Sequence, residues 1–342
     1  MTITVVQFYC YLVGQTKPVH KPGFQSFWFL RGMRLHMSNY TISMQNNGPL
    51  KILFVVNPVS GGKEKHDWEA AIRNFYKDTE HIIEFYLLTG KGDKISIQHH
   101  IDRIKPDRVV AVGGDGTVKM LAEILKETTM ALGILPAGSA NGMATELKLP
   151  AQTEEALHVI TNGECKKLDL IKINEEQICF HLSDVGLNAL LVKYFEGSKK
   201  RGMWGYGQAI FKALWKKTLM HVTIKTDAEE IKRNAFMVVI ANAQTYGTGA
   251  IINPDGKLND GLFEIVVIRK LHLFELMKML ITHKQFHPKR IEVFQTKTLE
   301  MNLKRKAYFQ VDGEFLGKTT CVKARILPQI LNVVVPAEKE LA

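Results

Sequence analysis

The run Arg108-Val109-Val110-Ala111-Val112 is short and almost wholly apolar, and Gly113-Gly114-Asp115-Gly116-Thr117 follows it directly. Beyond the glycines, residues 118–126 carry apolar side chains at helical spacing. An apolar run without alternation fits a strand buried on both faces of a parallel sheet, so the glycines fall at a strand-to-helix turn. Parallel neighbours need a crossover, usually a helix, which limits the chain to βαβ units. In an open α/β sheet the crevice beyond the strand ends takes ligands, and glycines let a phosphate approach backbone N–H groups. An acid inside such a loop needs a cation or hydrogen-bond donors beside it, and Asp115 is that acid.

The pattern recurs. Lys51 to Val56 reads as a strand, followed by the turn Asn57-Pro58-Val59-Ser60-Gly61-Gly62 and an amphipathic stretch with Trp68, Ala71, Ile72 and Phe75. A second strand, Ile82 to Leu88, ends at Thr89-Gly90, and a helix lies between Asp93 and Ile104. Another strand, Met130 to Leu135, runs into Pro136-Ala137-Gly138-Ser139-Ala140-Asn141-Gly142. Alternation of this kind predicts an α/β domain over 49–165 with a doubly wound parallel sheet. The loops after the first, third and fourth strands then emerge at one sheet edge and can line one polyphosphate site. None has the spacing G-x-G-x-x-G, so a dinucleotide fingerprint is excluded.

Residues 166–325 have a different texture. Short, often β-branched runs (168–173, 178–185, 221–226, 235–241, 262–267, 290–294, 298–303 and 307–311) are separated by turn signals. They predict a mainly-β domain, an antiparallel sandwich or barrel, with helical insertions near 190–217 and 271–285. Residues 326–342 form a C-terminal segment with the option of returning to the first domain. Residues 1–48 read as a weakly ordered extension; no basic residue precedes the apolar stretch Val5 to Val13, so a signal peptide fits poorly. Gly313 to Thr319 imitates a P-loop, but only three residues separate its glycines where four are required.

A chain of 342 residues is long enough for two domains with their own cores. Its net charge of +11 calls for an anionic partner: nucleic acid, an anionic membrane surface or a polyphosphate. The basic residues are dispersed and no nucleic-acid reader motif is present, which argues against the first. Cys10, Cys165, Cys179 and Cys321 form no C-x-x-C pair, so a disulfide framework or a zinc site is not expected and a reducing cytoplasm fits. No run approaches the ~18 apolar residues of a membrane span. Membrane contact would therefore be peripheral, at the inner surface, with the basic and aromatic stretch from Lys199 to Lys217 as one route to it.

Asn57-Pro58-Val59-Ser60-Gly61, Gly113-Gly114-Asp115-Gly116-Thr117 and Pro136-Ala137-Gly138-Ser139-Ala140-Asn141 resemble the nucleotide loops of the diacylglycerol kinase catalytic-domain family, which includes bacterial lipid kinases and sphingosine kinases. Later blocks agree in order: Gly186-Leu187-Asn188-Ala189, Tyr246-Gly247, Ile252-Asn253-Pro254, Leu258-Asn259-Asp260-Gly261-Leu262 and Asp312-Gly313-Glu314. The resemblance spans about residues 50–335 and implies an ATP-dependent lipid kinase. It places ATP among Asn57, Pro58, Ser60, Gly61, Thr89, Gly113, Gly114, Asp115, Gly116, Thr117, Ser139 and Asn141, with Asp115 near the phosphates and the catalytic Mg²⁺. It further implies a structural Mg²⁺ at Asp260 with the carbonyls of Lys257 and Leu262, linked to Asp169. Asp312 or Glu314 would take the proton of the lipid hydroxyl. Read alone, Asp312-Gly313 is an ordinary hairpin turn.

Two departures from the family pattern stand out. Lys119-Met120 occupies the place of an Asn-Glu pair, and Asn141-Gly142 the place of Asn-Asp. Lys119 could meet a phosphate, or be a solvated lysine on a helix face. The competing readings are an NAD kinase-like enzyme, which would share the Asp115 loop, and a non-catalytic nucleotide- or lipid-binding protein. A homodimer is compatible with the sequence.

Overall fold

The computed structural model describes residues 48–60, 67–139, 141–196, 218–245, 251–254, 256–269 and 291–337. The extension 1–47, Gly61 and the basic stretch 199–217 lie outside the described residues, as does the expected insertion at 271–285.

Four strands, β1 (Lys51–Val56), β2 (Ile82–Leu87), β3 (Arg108–Gly113) and β4 (Ala131–Pro136), lie parallel in the order β2-β1-β3-β4. The apolar runs of β1, β3 and β4 are buried on both faces, as the missing alternation requires, whereas the edge strand β2 is half-buried with Ile82 and Leu87 exposed. Leu53, Val55, Val109, Ala111, Leu132 and Ile134 pack against α2 (Asp93–Ile104), α3 (Asp115–Leu125) and α4 (Gly142–Glu146). Ile52, Phe54, Val56, Val110 and Val112 pack on the opposite face against α1 (Trp68–Tyr76) and α5 (Thr153–Asn162). Asp67 caps α1 by accepting the Ala70 N–H at 3.0 Å, which satisfies one of the donors that a helix start leaves open.

The mainly-β half comprises β5 (Glu164–Ile173), β6 (Gln177–Cys179), β7 (Leu182–Gly186), β8 (Met220–Thr226), β9 (Glu230–Ala235), β10 (Met237–Ala241), β11 (Phe263–Ile268), β12 (Ile291–Thr296), β13 (Thr298–Val311) and β14 (Glu314–Val335). Side chains from these strands, among them Ile171, Val185, Ile224, Ile240, Ile265, Met301 and Val322, fill one apolar core. Helix α6 (Leu187–Glu196) covers the outer face of β10 and β11 through Leu187, Leu190 and Leu191.

Both expected architectures are present, and a shared strand makes them one 14-stranded sheet. The 22-residue β14 pairs antiparallel with β13 and β5, then runs parallel to β4 at Asn332 and Val333. The expected single strand over 178–185 is interrupted instead. Phe180 and His181 leave the ladder because their N–H groups bond to Asp312. Conversely, the two runs at 298–303 and 307–311 are one strand, β13, with a bulge between Asn302 and Ala307.

Candidate functional site

The loops after β1, β3 and β4 leave the sheet at the same edge, because Val56 pairs with Val112 and Gly113 with Pro136. They are bonded to one another. The Asn57 N–H donates to the Val112 carbonyl at 2.9 Å, and the Asn57 side chain reaches Thr117 Oγ1 at 3.5 Å. The Ala137 N–H donates to the Gly113 carbonyl at 3.0 Å. At Gly138, an added Cβ would stand 2.4 Å from the Gly114 Cα, so the second and third loops touch backbone to backbone. Asn141, in the left-handed region at φ 52°, accepts the Gly138 N–H at 2.8 Å and donates to its carbonyl at 2.9 Å. Pro58, Ser139 and Gly116 are exposed at this edge, and Ser60 is half-buried.

The acid of the second loop has partners from the third. Asp115 Oδ2 accepts the Gly142 N–H at 2.9 Å and Oδ1 the Met143 N–H at 3.1 Å, which caps the start of α4. Gly142, in the position of the family's acid, thus supplies a donor to Asp115. The β2 edge ends in a comparable knot. Asp93 accepts the N–H groups of Thr89 and Gly90 at 2.9 and 2.8 Å and the hydroxyls of Thr89 and Tyr86 at 2.9 and 2.8 Å. Burial raises the Asp93 pKa, but these four donors outweigh it and hold the carboxyl below its ordinary value.

The Asp312-Gly313-Glu314 block is the turn between β13 and β14, with φ 49° and 83° at its two central residues, as a two-residue hairpin requires. It is also more than a turn. The Asp312 side chain is 5% exposed, and its carboxylate accepts the N–H groups of Phe180, His181 and Leu182 at 3.0, 2.8 and 3.2 Å and the thiol of Cys179 at 3.4 Å. Burial pushes its pKa up; Lys119 and the backbone donors pull against that. Gln310 anchors the turn by accepting the Gly313 N–H at 2.7 Å, and its amide donates to the buried Asp184. Glu314 stays 59% exposed.

Lys119 is not a solvated lysine on a helix face. Its ammonium lies 3.0 Å from Glu314 and 4.0 Å from Asp312, with the residue 6% exposed. It stands one turn after Asp115 on α3, on the same face. One helix therefore carries the acid that ties the second loop to the third and the cation that meets the hairpin. A second bridge between the two halves is Glu146, at the end of α4, which accepts the N–H groups of Gln244 and Thr245 at 2.9 and 3.2 Å.

The loop 257–262 adjoins β5. The Asp169 N–H donates to the Leu258 carbonyl at 2.6 Å, and the buried Asp169 carboxylate accepts the N–H groups of Gly261 at 2.7 Å and Gln329 at 2.6 Å. Asp169 thus fixes the loop from beneath. Burial, with the nearby charge of Asp260, raises its pKa against those two bonds. Asp260 and Lys257 are exposed, and Leu262 is half-buried. Among the described residues no group of three or more His, Cys, Asp or Glu could hold a metal. The donor set here is one exposed carboxylate with backbone carbonyls, which suits a hard cation that keeps several waters. The described cysteines Cys165, Cys179 and Cys321 are free thiols, and no described helix is long and apolar enough to cross a membrane.

Residues 51–173 match the diacylglycerol kinase catalytic domain, and residues 184–335 match the YegS C-terminal NAD kinase beta sandwich-like domain. A "Probable lipid kinase YegS-like" protein of Yersinia enterocolitica is 26% identical over 304 residues, covering 84% of this chain and 98% of that one. A diacylglycerol kinase of Staphylococcus epidermidis is 28% identical over 220 residues, covering 62% of this chain and 69% of the relative. The crystal structure of a diacylglycerol kinase from Bacillus anthracis shares the fold, with a TM-score of 0.64, 21% identity, and coverage of 83% of this chain and 96% of the other.

Sequence reasoning brought the three loops to one edge. It missed the roles of Asp93, Asp184, Gln310 and Glu146, which lie outside any motif and are read only through their partners. It also left Lys119 without a partner, because Glu314 lies 195 residues away.

Proposed function

The chain belongs to the diacylglycerol kinase catalytic-domain family, and from that premise we propose that it transfers the γ-phosphoryl group of ATP to a hydroxyl of a membrane lipid. The observation that carries this reading is the position of Lys119: the helix that opens at the Gly113–Thr117 loop meets, one turn later, the two acids of the distant hairpin. That contact supports a reading in which the loops and a proton acceptor belong to one site.

Phosphoryl transfer asks the protein mainly for positioning and charge. The polyphosphate lies against the loops that begin at Asn57 and Gly113, the second of which opens the 11-residue helix α3 with its N-terminal N–H groups. Thr89, Ser139 and Asn141 border the same edge. Mg²⁺, when bound, neutralises charge on the phosphates; Asp115 retains a lone pair on each oxygen for such a role. A second Mg²⁺ would be held by Asp260 with the carbonyls of Lys257 and Leu262, on the loop that Asp169 fixes. Asp312 or Glu314 accepts the proton of the lipid hydroxyl, which enters from the mainly-β half. Work on a membrane lipid places the protein at the cytoplasmic face of a bilayer as a peripheral enzyme.

The test is an assay with labelled ATP, Mg²⁺ and vesicles of a total lipid extract. A labelled lipid that identifies diacylglycerol, a sphingoid base or another acceptor is the expected result. Tight ATP binding with no labelled lipid would favour a nucleotide sensor, and labelled NADP from added NAD would favour an NAD kinase.

A further inference from the structure

A lysine buried to 6% exposure between a nucleotide-loop helix and two acids is costly to maintain unless its charge is used. Burial opposes the ammonium, yet Asp312, Glu314 and Glu123 outweigh it, and Lys119 holds its proton above the ordinary lysine range. Its two main partners differ. Glu314 is exposed and takes the short contact at 3.0 Å; Asp312 is enclosed, lies 4.0 Å away and already accepts three backbone N–H groups.

We propose that Lys119 is a positioning residue for phosphoryl transfer, an internal counter-ion that fixes the charge and place of the hairpin acids relative to the nucleotide helix. The inference rests on the kinase reading above. In the transfer, the acceptor oxygen forms its bond to the γ-phosphorus while the bond to the β–γ bridging oxygen breaks and its electron pair leaves with ADP. The hydroxyl proton passes to a hairpin carboxylate, which must be ionised to receive it. Enclosure alone would leave Asp312 protonated too readily, and the fixed cation counters that.

Among the described residues, the charged and titratable groups facing Lys119 and Asp312 are Glu123 on α3, Glu314 on the hairpin, Cys179 at the end of β6 and His181 between β6 and β7. Cys179 is useful as a reporter, because its thiol donates to Asp312 Oδ1 at 3.4 Å and its S–H stretch senses the acceptor's charge.

The experiment compares the wild type with Lys119→Met, Lys119→Arg and Glu314→Gln. In Lys119→Met, kcat at neutral pH should fall at least about tenfold with the ATP KM little changed. The acid limb of kcat/KM should move up by about one pH unit or more, and Lys119→Arg should restore it. The infrared S–H band, assigned by its loss in Cys179→Ala, should titrate at higher pH in Lys119→Met. In Glu314→Gln, whose altered side chain is exposed enough not to threaten folding, it should titrate at lower pH because Lys119 is no longer shared. These S–H shifts in a wild type that phosphorylates no lipid would sustain the counter-ion and sink the kinase reading alone. An unmoved band in folded Lys119→Met, or in Glu314→Gln where Lys119→Met does not fold, overturns the proposal. So does a raised ATP KM with kcat and acid limb unchanged, which would make Lys119 a nucleotide contact.

Discussion

Asp115 accepts the Gly142 N–H at 2.9 Å with one carboxylate oxygen and the Met143 N–H at 3.1 Å with the other, so the acid of the second loop shapes the third. Its conspicuous place among glycines follows in part from this tie. Asp115→Ala leaves two backbone donors without their acceptor, and hydrogen bonds to a charged group are worth about 1.5–3 kcal/mol each. ADP affinity by calorimetry should fall at least about tenfold. Unchanged affinity would mean that the tie does not organise the nucleotide edge.

Two glycines of the same edge should respond in opposite ways. A Cβ on Gly138 would meet the Gly114 Cα at 2.4 Å, which backbone alone must absorb. Gly138→Ala should therefore lose about 1–3 kcal/mol in denaturant unfolding, the usual cost of overpacking. A Cβ on Gly116 has nothing within 4 Å. Gly116→Ala, in the first turn of α3, should gain about 0.4–1 kcal/mol in unfolding and weaken ATP binding, since only a bound nucleotide would feel the methyl group. A stable Gly116→Ala protein with full ATP affinity would move the phosphates away from this turn.

What could be read from sequence depended on range. β1, β3 and β4 are legible because burial on both faces demands unbroken apolar runs, and Leu53 and Phe54 show it as neighbours packed on opposite faces. The interruption at Phe180 and His181 was illegible, because nothing local announces that Asp312, more than 130 residues on, takes their N–H groups. The same holds for β14. Its passage from hairpin to parallel sheet needs left-handed Gln329 and the shift between Leu327 and Leu331, which apolar periodicity does not encode.

Metal dependence can be tested apart from activity. If Mg²⁺ binds at Asp260, the melting temperature should rise with millimolar Mg²⁺ and fall back with chelator. The gain is about 2.7 kcal/mol at a hundred times Kd. Asp260→Asn should abolish the Mg²⁺ effect while leaving the metal-free melt close to wild type, because the residue is exposed. A Mg²⁺ response that survives Asp260→Asn rules this loop out as its source.

Acid stability should report on Asp93. Its four donors hold the folded pKa below the ordinary value, so the folded state favours the ionised form. That contribution is fully present above the unfolded pKa of about 3.9 and is lost as pH falls through the lower folded value. Asp93→Asn should therefore be less stable than wild type at pH 7, by about 1–3 kcal/mol. The gap should narrow as the solution is acidified below pH of about 4. A gap that stays constant on acidification would assign the loss to packing instead of charge.

The two hairpin acids can be separated by substitution, because the structure treats them differently. Asp312 is enclosed and saturated with backbone donors, whereas Glu314 is 59% exposed with Lys119 as its cation. Removing a general base typically costs ~10²–10⁴-fold. Asp312→Asn also puts an amide against N–H groups that need acceptors, so its effect includes distortion of the turn and should appear in the melt as well as in kcat. Glu314→Gln keeps the shape and stays in solvent. If Glu314 is the base, kcat should fall by that factor with only a small drop in the melt, because Asp312 still neutralises the buried Lys119; if Asp312 is, Glu314→Gln should retain most of its turnover. Full activity in both variants would remove the hairpin from the chemistry.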